Sequence, residues 1–169
     1  MSDGKGRIYV NNAEKSELNV IDATIFRVIH SWPIKPGKGT SGLAIDRNTM
    51  RLFAGCDKKL LVVMDANNGS VLSTHPIGGQ RDAVSFDHTF HIIYSSNGDG
   101  TLTIIREKSP NNFAVVKNLE TKKGACTSSV DQVSHMVYLP TGEFEPKKSG
   151  DFRPALKPGT FRVLVVAPL

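Results

Sequence analysis

Three aspartates, Asp46, Asp87 and Asp131, end short apolar runs in this chain, and three further acids, Asp22, Asp65 and Glu107, end a second series. Converging carboxylates can share a proton or hold a cation. The five histidines, His30, His75, His88, His91 and His135, are the side chains best suited to metal binding or proton transfer near neutral pH. Neither set is spaced as a site. No two histidines fall at zinc-ligand spacing with a third carboxylate or thiol. His91 and His135 stand where Arg7 and Arg51 stand in equivalent runs, which reads as a turn or rim position. Asp46-Arg47-Asn48 and its counterparts read as Asx turns, with the carboxylate accepting nearby backbone N–H groups; Asp22, Asp65 and Glu107 read likewise. No nucleophile, base and orienting group are visible together, so no catalytic residue, metal or cofactor is expected.

A glycine pattern, Gly37-Lys38-Gly39-Thr40-Ser41-Gly42, fits a dinucleotide-binding turn. That turn needs a helix N-terminus directly after it, so that backbone N–H groups face a pyrophosphate. A strand and then Asp46-Arg47-Asn48 follow instead. The same slot returns as Gly78-Gly79-Gln80-Arg81-Asp82 and Lys122-Lys123-Gly124-Ala125-Cys126, so it is a repeated connection.

These residues are positioned by a repeat of about 42 residues. Asn19-Val20-Ile21-Asp22 returns as Val62-Val63-Met64-Asp65 and Ile104-Ile105-Arg106-Glu107, with the acids 43 and 42 residues apart. Ahead of it run Arg7-Ile8-Tyr9-Val10, Arg51-Leu52-Phe53-Ala54, His91-Ile92-Ile93-Tyr94 and His135-Met136-Val137-Tyr138. Leu43-Ala44-Ile45-Asp46, Val84-Ser85-Phe86-Asp87 and Ser128-Ser129-Val130-Asp131 form a third series. Each full unit reads as four strands, A to D: residues 41–46, 51–55, 60–65 and 70–76, then 82–87, 91–96, 101–107 and 113–119. Asn97-Gly98-Asp99-Gly100 is hairpin chemistry, because such turns need positive φ. Short strands at this period, with no helical periodicity, predict an all-β β-propeller of about four blades of four-stranded antiparallel sheet. The ring is partial. The first blade opens on a B strand and the last closes on a C strand, so both are incomplete. Residues 1–169 read as a single partial propeller domain, and Thr141–Pro158 as a Pro- and Lys-rich inserted loop.

Composition narrows the classes. No apolar run approaches the roughly 18 residues of a membrane span. The segment Met1-Ser2-Asp3-Gly4-Lys5-Gly6 lacks the apolar stretch of a secretory signal. Cys56 and Cys126 fall at non-equivalent positions and read as two thiols rather than a disulfide. A net charge of +5 and a pI near 9.3 attract anions weakly.

Ile8-Tyr9-Val10-Asn11-Asn12, Leu18-Asn19-Val20-Ile21-Asp22, a D strand ending Trp32-Pro33-Ile34, a glycine-rich turn and Gly42-Leu43-Ala44-Ile45-Asp46 together resemble the YncE-like family of YVTN-repeat propellers. Members are commonly seven-bladed and exported, so the resemblance implies a periplasmic or secreted location for a full-length protein. It covers essentially the whole chain and matches the C-terminal four units or so. The half length and missing signal suggest a C-terminal fragment. Thr40 and Arg81 stand where the family often has proline.

A half ring leaves an apolar face at each end. An open end of about 500 Å² forfeits roughly 12 kcal/mol at about 25 cal/mol/Å², comparable with a domain's net stability of about 5–15 kcal/mol. The chain is therefore expected to need a complementary half-propeller or self-association. Residues that differ between blades are the better site candidates, and the D-to-A loops supply them: Lys35, Lys38, Thr40, Arg81, Asp82, Lys122 and Lys123, with Lys147, Lys148, Arg153 and Lys157 in the insertion. The expectation is a non-catalytic binding module whose basic D–A face takes an anionic ligand or a protein partner. Single-stranded DNA binding, as reported within the YncE-like family, is the alternative; Phe144, Phe152, Tyr9 and Trp32 offer few stacking platforms for it. A propeller hydrolase or lyase would need inward carboxylates or histidines from several blades, for which Asp82 is the sole inner-strand candidate.

Overall fold

The computed structural model describes residues 1–146 and 154–168, with only the backbone of Arg81. Lys147, Lys148, Phe152 and Arg153 lie outside the described residues. Among the described residues, fourteen strands form four antiparallel sheets, each hydrogen-bonded in chain order. Blade one holds β1 (Arg7–Asn12), β2 (Glu17–Asp22) and β3 (Arg27–Pro33). Blade two holds β4 (Leu43–Asp46), β5 (Arg51–Cys56), β6 (Leu60–Asp65) and β7 (Val71–Pro76). Blade three holds β8 (Arg81–Asp87), β9 (Ile92–Asn97), β10 (Thr101–Ser109) and β11 (Asn112–Glu120). Blade four holds β12 (Ser129–Val130), β13 (Val137–Thr141) and β14 (Arg162–Val166). The end blades are three-stranded, as the repeat predicts. Among the described residues no helix is long and apolar enough to cross a membrane.

Alternation along each strand builds the core, because successive side chains point to opposite faces of a sheet. Tyr9, Leu18 and Val20 of blade one meet Leu52, Ala54, Val62 and Met64 of blade two. The other face of blade two, with Phe53, Leu61 and Val63, meets Phe86, Ile93 and Ile105 of blade three. Ile92, Tyr94, Leu102 and Ile104 then meet Val137 and Leu139 of blade four. Three apolar layers thus alternate with four sheets, and β8 packs between β4 and β12 along the inner edge. Beyond the layers, Val10 and Val28 of blade one and Tyr138, Val163 and Val165 of blade four remain exposed.

The register corrects the sequence alignment by one residue in blade three. The C–D pairing of each full blade and of blade one carries a bulge, after Val20, Val63 and Ile104. Aligned on that bulge, Arg106, not Glu107, is the equivalent of Asp22 and Asp65. On strand β9, Ile92 is the equivalent of Arg51, since Ile92 faces Asp87 as Arg51 faces Asp46. His91 and His135 therefore match Met50, in the turn rather than on the strand. All three hold positive φ, at 54°, 60° and 54° for His91, His135 and Met50. A one-residue shift in a strand moves a side chain to the opposite face. Glu107 therefore points inward, at the level where blade two has the buried Ala66.

Candidate functional site

The D–A connections and B–C hairpins meet at one end of the strands. Beneath them a polar network fixes their relative positions. Asn97 Nδ2 donates to Thr101 Oγ1 and Thr103 Oγ1, both at 3.1 Å, and the Gly78 N–H reaches Thr103 Oγ1 at 3.1 Å. Gly79 N–H donates to Asp99 Oδ2 at 2.5 Å, so the connection entering blade three is tied to that blade's own B–C hairpin. A Cβ at Gly42 would lie 2.6 Å from the Val84 backbone nitrogen, which is why the neighbouring inner strands can approach here.

Two adjoining clefts open on this face and share Gln80. One, of about 430 Å³, lies between blades two and three and is lined by Cys56, Asp57, Lys58, Lys59, Gly79 and Asp99. The other, of about 710 Å³, is lined by Asp82, Gly98, Gly124, Cys126, Phe144 and Pro154. Asp82 Oδ2 accepts from Thr127 Oγ1 at 3.0 Å. Burial, and then the Asp82 carboxylate beside it, holds the Cys126 thiol above its ordinary range. Ser96 donates to the Cys126 carbonyl and accepts from Ser128 Oγ at 3.0 Å, anchoring the strip between blades three and four.

The predicted residues divide. Asp82 lines the larger cleft. Lys122 is half-buried and paired with Glu143 at 3.3 Å, a contact that holds the glutamate below the usual carboxylate range. Lys35, Lys38 and Lys123 are exposed but line neither cleft. Lys38 contributes its carbonyl, which accepts from the Asp57 N–H at 2.7 Å. Thr40 is buried, with no hydrogen-bond partner for its hydroxyl among the described residues; it sits under the surface rather than on it. The side chain of Arg81 lies outside the described structure. Sequence reasoning missed Lys58, Lys59 and Gln80, which enter the clefts because the B–C hairpin Asp57–Lys59 folds toward the next D–A connection. The described ends of the insertion meet at a bridge between Phe144 and Leu156, and Phe144 and Pro154 line the larger cleft.

At the opposite end of the strands the Asx turns form as expected. Asp46 Oδ1 accepts Asn48 N–H at 2.9 Å, Asp87 Oδ1 accepts Thr89 N–H at 2.9 Å, and Asp131 Oδ1 accepts Val133 N–H at 3.1 Å. Asp22 and Asp65 close turns in the same way. Glu107 does not. Its side chain is buried, Oε1 lies 3.3 Å from Thr49 Oγ1, and Oε2 has no hydrogen-bond partner among the described residues. Burial first, and the nearby Asp46 carboxylate second, push its pKa up to about 7. Asp46, His91 and Glu107 bring one ligand atom each within 4.8 Å of one another, a grouping that the sequence spacing does not reveal.

No protein-family model matches the chain, and no curated protein matches it. Solved structures do. The chain resembles a hydrazine synthase chain of Kuenenia stuttgartiensis, with a TM-score of 0.73 and 10% identity over 99% of this chain and 48% of that one. It resembles the RRP9 WD40 repeats, with a TM-score of 0.64 and 20% identity over 84% of this chain and 43% of that one. A chain of a mitotic checkpoint complex gives a TM-score of 0.70 and 12% identity over 96% and 48%. The fold is a β-propeller. The chain spans a little under half the length of each matched chain. At these identities the likeness fixes architecture alone.

Proposed function

We propose that this protein is a non-catalytic propeller binding module whose D–A and B–C face receives a protein segment with an apolar anchor and acidic flanks. The observation that carries the reading is the cleft of about 710 Å³ in which Phe144, Pro154 and backbone at Gly98 and Gly124 make an apolar floor beside Asp82. Phe144 is about half exposed, as an anchor for a partner side chain must be. Lys59 lines the adjoining cleft, and Lys35, Lys38 and Lys123 are exposed outside both clefts; cations so placed would act on acidic flanks mainly through encounter rate. WD40-type neighbours and the YVTN-like motifs at Tyr9–Asn12 and Leu43–Asp46 support a propeller scaffold. An anionic small ligand and single-stranded DNA are the competing occupants.

Fluorescence anisotropy separates them, with a labelled acidic peptide carrying one aromatic residue and a labelled oligothymidylate, each at low and physiological salt. Peptide binding that Phe144→Ala abolishes and salt weakens modestly supports the reading. Oligonucleotide binding with a steep salt slope, lost on Lys122→Glu with Arg81→Glu, would replace it.

We also infer that the exposed faces of blades one and four are covered by further propeller blades. Two observations support this: each end exposes apolar side chains on its outer sheet face, Val10 and Val28 on one and Val163 and Val165 on the other, and the matched propellers are about twice as long. Sedimentation of the purified chain tests it. Self-association is the expected result, and a stable monomer at low micromolar concentration overturns it.

A further inference from the structure

At the strand ends remote from the clefts, blades two and three hold a buried acidic pair whose neighbouring imidazoles stop short of hydrogen-bond reach, His88 Nδ1 lying 4.0 Å from Asp46 Oδ1 and His91 Nδ1 4.0 Å from Glu107 Oε2. Asp46, from the A–B turn of blade two, and Glu107, from the end of β10, both have side chains at most 2% exposed. They share one hydroxyl. Thr49 Oγ1 is 2.5 Å from Asp46 Oδ2 and 3.3 Å from Glu107 Oε1, and a hydroxyl has a single proton to donate. Among the described residues Glu107 Oε2 has no hydrogen-bond partner, which in a buried carboxylate is costly. His91 Nδ1 stands 4.0 Å from that same oxygen, too far for a hydrogen bond. The nearest guanidinium is already engaged: Arg51 bonds Asp65, the Pro110 carbonyl and Asn111.

We propose that Asp46, His91 and Glu107 form a binding site for a divalent cation of the zinc class, clipping blade two to blade three. Two carboxylate oxygens and one imidazole nitrogen are a donor set suited to a borderline first-row ion, whose bonds of about 2.0–2.2 Å leave a fourth position for water. The three donor atoms lie within 4.8 Å of one another. His91 is half exposed, so its ring can close the remaining gap by side-chain rotation. The orphaned Oε2 is the lone pair that the ion would engage. A cleft of about 120 Å³, lined by Thr49, His91, Glu107, Lys108, Ser109 and Pro110, opens beside the carboxylate, giving the ion its entry path and room for a water. Lys108 on its rim is a like charge that weakens the site without closing it. This site is independent of the partner-binding face, because it occupies the other end of the same strands.

The test is titration of the chelator-treated full chain with Zn²⁺ against a chromogenic competitor, alongside the Co²⁺ visible spectrum. The expected result is one equivalent bound, a cobalt spectrum with ligand-field bands and no thiolate charge transfer, and a rise in melting temperature on zinc addition. Glu107→Gln and His91→Ala should each weaken binding by more than about tenfold, since loss of even an outer-shell partner costs about 10–100-fold. Cys126→Ser should leave binding unchanged, and Lys108→Ala should tighten it. Asp46 is not varied, since it also closes the turn at Asn48 and Thr49. Glu107→Gln keeps shape and volume, and its melting curve in chelator shows that any lost binding is not lost folding. Absence of a stoichiometric site, equal affinity in Glu107→Gln, or a signal that disappears with Cys126→Ser would each overturn the proposal.

Discussion

His135 Nδ1 lies 2.8 Å from Asp87 Oδ2, so the turn before strand β13 of blade four is bonded to the carboxylate that closes the A–B turn of blade three. Asp87 is fully buried, and its other oxygen accepts the Thr89 and Phe90 N–H groups. Phe90 packs on the His135 ring, with centroids 4.3 Å apart. One blade earlier the same turn residue is His91, but Asp46 is drawn to Thr49 and His91 faces Glu107 instead. The two junctions have the same backbone and different chemistry, one a closed pair and the other an open acidic site.

Removing the closed pair should loosen blade four. His135→Ala leaves the buried Asp87 Oδ2 without its partner and strips the Phe90 ring, a loss of about 1–3 kcal/mol. Urea denaturation followed by far-UV circular dichroism reads it, and an unchanged midpoint would show that the pair contributes nothing.

Glu107 should make stability pH-dependent in chelator. Its folded pKa of about 7 stands above the ordinary 4.5, so the folded state holds its proton more tightly than the unfolded chain does. That contribution is complete below about pH 4.5 and is lost as pH rises through about 7. Glu107→Gln should therefore match the parent at low pH and exceed it at pH 8, by up to about 3 kcal/mol. Melting curves across that range test the sign. A variant less stable than the parent at pH 8 would show that Glu107 is charged and stabilising there.

Gly42 separates the inner strands of blades two and three. An added methyl would meet the backbone of Ala83 and Val84, where neither neighbour can rotate away. Gly42→Ala should cost about 1–3 kcal/mol through close packing, whereas Gly6→Ala, with open space around it, should lose only the roughly 1–2 kcal/mol set by its positive φ. An unchanged denaturation midpoint in Gly42→Ala would show that the two inner strands are not in close contact there.

The thiol of Cys126 should react slowly. Burial and the adjacent Asp82 disfavour its thiolate, and the thiolate is the nucleophile. Asp82→Asn removes one of the two causes, so alkylation by iodoacetamide at pH 8 should quicken several-fold. An unchanged rate would place control in burial alone.

Much of this protein is legible from its sequence, because alternation and turn chemistry are local. The runs ending in Asp46, Asp87 and Asp131 carry both the strand period and the Asx turn, and three such series at one spacing impose stacked four-stranded sheets. The incomplete blades at each end follow from which series is absent. The same locality explains the errors. Glu107 looks like Asp65 because both end a β-branched run, and no local signal separates them. The bulge after Ile104 and the pairing of Ile92 with Arg106 decide the matter. That register turns one acid into the interior while its apparent counterpart stays at the rim. The meeting of Asp46 with His91 and Glu107 from the next blade, and of Asp82 with Phe144 in the insertion, joins residues 45 to 62 positions apart in the chain. Those contacts exist only once the sheets have stacked, since apolar burial between blades, not any preference along the chain, brings the two ends of neighbouring strands together.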